Sequence, residues 1–90
     1  MNAIEYAARR VRDEIGDAEE YAKKAIEYCD SFPELADTLE SLSAQELEHA
    51  KKIYASVKGG DGREILDYEY GYLKDAERKA KALWEEYKEG

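Results

Sequence analysis

Apolar residues recur along this chain at alternating steps of four and three, the spacing that keeps side chains on one face of an α-helix. A first seam runs Ile4, Ala8, Val11, Ile15, Ala18, Ala22, Ala25, Cys29. It predicts a helix from about Asn2 to Cys29. Asp30-Ser31-Phe32-Pro33 interrupts it. Pro33 is tolerated at the start of the next helix, where its missing N–H would be unpaired anyway. Ser31 with Glu34 reads as a capping box. A second seam, Leu35, Leu39, Leu42, Glu46, His49, Ile53, predicts a helix over about 33–58. Gly59-Gly60-Asp61-Gly62 is a turn, and Asp61 with Glu64 repeats the cap pattern. A third seam, Leu66, Glu69, Leu73, Ala76, Ala80, Leu83, Tyr87, predicts a helix over about 63–87. The expected fold is all-α, one domain over residues 1–90. Its short connections make successive helices antiparallel neighbours.

The second seam contains an anomaly. Two adjacent positions that ought to be apolar hold Glu46 and the chain's single histidine, His49. Burying a carboxylate without compensation costs on the order of several kcal/mol. A metal ion is one compensation, and Glu with His at i, i+3 is how helical bundles hold iron or manganese. Counting outward from the first turn places Glu14 at nearly the same height as Glu46 and His49, at roughly 1.5 Å per residue. Glu14 also shares a face with Val11, Ala18 and Tyr21. Counting from the second turn brings Glu69 and Tyr72 level with the same layer. Glu69 is then a further ligand, an outer base or a cation relay. Tyr72 either donates to a ligand carboxylate or packs.

Composition narrows the functional classes. The 90 residues are 43% hydrophobic and 40% charged, with one Pro, the profile of a long-helix protein. So short a chain buries limited apolar surface alone, which favours oligomerisation. The formal charge of −8 argues against nucleic-acid or anionic-lipid binding through bulk charge. One cysteine allows neither an intrachain disulfide nor a C-x-x-C metal site. No apolar run is long enough to span a membrane, and the N-terminus is not signal-like. A cytoplasmic protein is expected, or one held inside a protein compartment. There is no phosphate-binding loop and no Ser/His/Asp arrangement.

Glu14, Tyr21 and the run Gln45-Glu46-Leu47-Glu48-His49-Ala50-Lys51 resemble half of a ferritin-like di-iron protein, rubrerythrin in particular, over roughly residues 8–57. The single helix pair is similar to that of the encapsulated ferritins. The resemblance implies that two chains pack into a four-helix bundle, at least a homodimer. Glu14, Glu46 and His49 of each chain would then supply six ligands to two metals. It makes Glu46 the bridging carboxylate, and Glu14 and His49 terminal ligands. The activity implied is oxidation of Fe(II) by dioxygen or peroxide, with manganese or zinc as other occupants of such a ligand set. A rubrerythrin-like peroxide scavenger is an alternative, but the four-cysteine rubredoxin-like module that feeds it electrons is lacking. An encapsulin shell is a possible partner in that family, yet no targeting peptide is seen after Tyr87.

Two further readings belong beside these. Asp13, Asp17 and Glu20 form an acidic strip beside Glu14 that either guides cations or is a solvated face. The rival to the metal site is a metal-free helical interaction module, in which Glu46 and His49 only set register at some cost in stability.

Overall fold

The computed structural model describes the backbone of residues 2–89 and the side chains of residues 2–82, 84 and 85. Every regular element among them is helical: α1 (Ala3–Tyr28), α2 (Pro33–Ser56), α3 (Arg63–Tyr70) and α4 (Tyr72–Glu89). The seam positions Leu83 and Tyr87 lie outside the described side chains. The four-three apolar pattern of α1 is the reason it forms. Ile4, Ala8, Val11, Ile15, Ala18, Ala25 and Cys29 are all buried, and Ala7 and Glu14 join them. Asn2 caps α1, its side-chain oxygen accepting from the Glu5 N–H at 2.8 Å.

The starts of α2 and α3 depart from expectation. Phe32 is the N-cap of α2 and makes no side-chain cap bond, so the Ser31/Glu34 box is not formed. Pro33 at the first helical position does the work instead. Gly62 is the N-cap of α3, at φ 87°, and the Asp61/Glu64 box is likewise absent. The tight turn requires that left-handed residue, which only glycine adopts cheaply. Gly60 is constrained twice over: its φ is 108°, and a Cβ there would lie 2.8 Å from Ile4 Cδ1.

The third helical segment is also not continuous. It is interrupted at Gly71, whose N–H is shared between the Asp67 and Tyr68 carbonyls at 3.0 and 3.2 Å. A glycine exposes backbone to water and lowers local helix stability by about 1 kcal/mol relative to Ala, which is where the segment divides into α3 and α4.

The buried face of α2 is rotated from the seam the leucines suggest. Its buried residues are Ala36, Ser43, Leu47 and Ala50, one position along the helix. Leu35 is 44% exposed, and Leu39, Leu42 and Ile53 are only half-buried. The cause is steric. Ala36, Ser43 and Ala50 let the backbones of α1 and α2 approach closely, and the larger leucines are displaced to the flank. α3 and α4 pack mainly on α1. Leu66, Leu73 and Ala76 complete one core with Ile4, Ala8, Val11, Ile15, Leu47 and Ala50. A second, smaller cluster at the other end joins Ala25, Cys29 and Ala36 to the half-buried Leu39 and Trp84.

A polar knot ties α2 to α3 across the glycine turn. Arg63 lies over the Tyr54 ring at 4.7 Å and donates to the Val57 carbonyl. Tyr54 stacks on Tyr70 with centroids 3.7 Å apart and donates its hydroxyl to Asp67 at 2.7 Å. The molecule is slender, 47 × 18 × 15 Å with a radius of gyration of 14.7 Å. A compact chain of this length has a radius of about 12 Å. No helix of the described residues is long and apolar enough to cross a membrane.

Candidate metal centre

Register between α1 and α2 is set by one buried hydrogen bond. Ser43 Oγ donates to the Ala18 carbonyl at 2.7 Å. Glu14 lies four residues before Ala18, and Leu47 four residues after Ser43. In an antiparallel pair this puts Glu14 opposite the stretch that carries Glu46 and His49. The three side chains do meet. One donor atom from each of Glu14, Glu46 and His49 falls within 4.8 Å of the others, the one such group among the described residues.

His49 Nδ1 stands 3.5 Å from Glu14 Oε2 and 3.3 Å from Glu46 Oε1. Two ligands on one small cation, with bonds of about 2.1 Å, sit roughly 3–3.5 Å apart. The burial is graded: the Glu14 side chain is 6% exposed, Glu46 18% and His49 51%. Glu14 is therefore the floor of the site and His49 its rim. The two oxygens of Glu14 differ. Oε1 accepts a charge-assisted hydrogen bond from Arg10 Nη2, one turn earlier on α1. Oε2 is buried and has no hydrogen-bond partner. Buried carboxylate oxygens are normally satisfied, and this one instead stands 3.5 Å from His49 Nδ1.

The electrostatics agree. Burial by itself raises the Glu14 value. The adjoining Glu46 carboxyl, then Arg10, then His49 outweigh it and hold Glu14 below the ordinary glutamate range. Glu46 is pushed up, first by its contact with Glu14, then by burial and the Glu14 charge, with His49 opposing and Asp17 adding a little. Two carboxyls this close resist being ionised together. A cation or a proton shared by two such carboxyls relieves the repulsion.

The remaining candidate residues are not drawn into the cluster. Glu69 and Tyr72 line a groove with Arg12, Ile15, Gly16 and Glu19, on the side of α1 away from Glu14. The height estimated by counting does not bring them to the site, because α3 and α4 pack on that other side. Tyr72 instead shares a hydrogen bond with Tyr68, 2.8 Å between hydroxyls. Asp13 is exposed and stands 4.0 Å from Arg10. Asp17 is exposed, and only its charge reaches Glu46. Two contributors escaped the sequence reading. Arg10 was visible as a basic residue four positions before Glu14, a spacing that pairs side chains on a helix. Ser43 carried no comparable signal.

What fold and site together define is a helical hairpin with a two-carboxylate, one-imidazole cluster on its pairing seam. No protein-family model, no curated protein and no solved structure matches the chain.

Proposed function

We propose that this chain is a ferritin-like half-site that takes up Fe(II) between two copies of itself and oxidises it. The observation that carries the reading is Glu14 Oε2, a buried carboxylate oxygen without a hydrogen-bond partner, facing Glu46 and His49. The donor set suits the metal. Carboxylates and imidazole accept Fe(II), and hard anionic oxygens favour Fe(III) over Fe(II). Manganese and zinc are competing occupants of the same ligands.

Three protein ligands leave a bound ion with open positions, and His49 is half exposed at the rim. A second copy, related by a two-fold axis, would bring its own Glu14, Glu46 and His49. Six ligands would then hold two ions, with Glu46 the bridging group. The exposed Leu35 and the half-buried Leu39, Leu42 and Ile53 share the helix face of Glu46 and His49 and supply apolar area for that contact. Fe(II) is the substrate. Each ion gives up one electron, and dioxygen or peroxide receives the pair with two protons. The chain's own part is to hold the ions on anionic oxygens and an imidazole nitrogen.

The test is anaerobic Fe(II) loading followed by gel filtration, beside His49→Ala. One iron per chain in a dimer or larger species, lost in the variant, is the expected result. Failure of the unaltered chain to retain Fe(II), Mn(II) or Zn(II) would sink the proposal.

A further inference from the structure

Among the described residues Arg10 is the one arginine or lysine hydrogen-bonded to Glu14, and its placement is odd for a cation-binding site. Bulk electrostatics argues against it. A guanidinium beside a metal site repels the incoming ion, so a site selected only for negative charge would exclude it. Yet Arg10 Nη2 donates to Glu14 Oε1, while its side chain is 40% exposed and its Nη1 reaches toward Asp13 Oδ2 at 4.0 Å. It is not held there by burial. What it does is divide the Glu14 carboxylate. Oε1 is engaged by the guanidinium, and Oε2, without a hydrogen bond, lies 3.5 Å from His49 Nδ1.

We propose that Arg10 is a positioning residue that fixes Glu14 as a one-oxygen ligand, with Oε2 presented to the ion and Oε1 withheld from it. The inference rests on the metal-site reading above. Free carboxylates bind metals through one or both oxygens. A ligand on a helix with a free carboxylate rotor samples both modes, and a partner on one oxygen removes that freedom. Groups that orient metal ligands in this way typically contribute 10–100-fold in affinity. A single N–H suffices for the role, since only Nη2 of Arg10 reaches Glu14.

The two effects of Arg10 have opposite signs, which makes the inference testable. As a positive charge it weakens cation binding; as a positioning group it strengthens it. Co(II) titration of the full chain, followed by its visible absorption, reads both affinity and coordination. In Arg10→Met, Co(II) binding weakens by about 10-fold or more. The absorption per Co(II) also falls, because Glu14 closes onto the ion with both oxygens and raises the coordination number. Arg10→Lys, which keeps one N–H donor for Oε1, recovers most of the affinity and the spectrum. Helicity by circular dichroism checks that both variants fold, as expected for an exposed helix position. If the unaltered chain binds Co(II) and Arg10→Met binds it equally or more tightly with the same spectrum, Arg10 is only a repelling charge and the inference is overturned. If the unaltered chain binds no Co(II), the metal-site reading fails and the inference with it.

Discussion

Glu14 and Glu46 behave as a pair because burial and proximity let only one of them ionise at low cost. Glu14, held below the ordinary glutamate value, contributes stability above that value and loses it as pH falls through its own lower one. Glu46, held above, works the other way. It favours the folded state while protonated, and that contribution is lost as pH rises through its raised value. In metal-free protein kept in chelator, Glu46→Gln therefore raises the melting temperature at about pH 7, where an ionised Glu46 is uncompensated. The gap closes toward about pH 4, where wild-type Glu46 carries its own proton. Melting curves over that range check this, and an equal or lower melting temperature for the variant near neutrality would contradict the pairing. Under the proposed function added metal reverses the order, because glutamine is a poorer ligand and ligand-linked stabilisation is lost.

At the scale of elements, the contact between α1 and α2 is governed by small residues. Ala18, Ala36 and Ala50 are almost fully buried, and Ser43 spends its hydroxyl on the Ala18 carbonyl. Gly16 does not belong to this set. It is exposed, and a Cβ there would meet nothing within 4 Å. Gly16→Ala is expected to stabilise the chain by roughly 0.5–1 kcal/mol, because it removes the entropy cost of a mid-helix glycine. Gly60→Ala goes the opposite way by about 1–2 kcal/mol, since its left-handed backbone disfavours a side chain. Urea unfolding of the two variants measures both signs. A destabilising Gly16→Ala would mean that another surface covers this side of α1.

On the scale of the whole molecule, a slender hairpin with a third segment on one side leaves the other side unfinished. The residues along it are Leu35, Leu39 and Leu42, then Glu46 and His49, then Ile53. Under the proposed function this stripe pairs with its own copy. Leu35→Glu combined with Leu42→Glu then converts the assembly to a monomer in sedimentation and lowers Fe(II) retention at least 10-fold, with helicity unchanged. A dimer that survives both charges would move the interface elsewhere, for example to the exposed Ile65, Tyr68 and Tyr72.

The hydrophobic period determined that the chain is helical and where α1 lies, and counting outward from the first turn put Glu14, Glu46 and His49 in one layer. Those features depend on local spacing and on the fixed rise of a helix, which a one-dimensional pattern carries in full. Tertiary structure decided which of two neighbouring stripes on α2 is buried. A rotation of about 100° separates them, and alanine against alanine wins by close backbone approach, a pairwise fact invisible in one helix. It also decided on which side of α1 the third segment packs, and so removed Glu69 and Tyr72 from the cluster despite their matching height. Counting residues gives position along an axis. Azimuth around it comes only from the partner a helix packs against, and azimuth separates the three residues that meet from the two that do not.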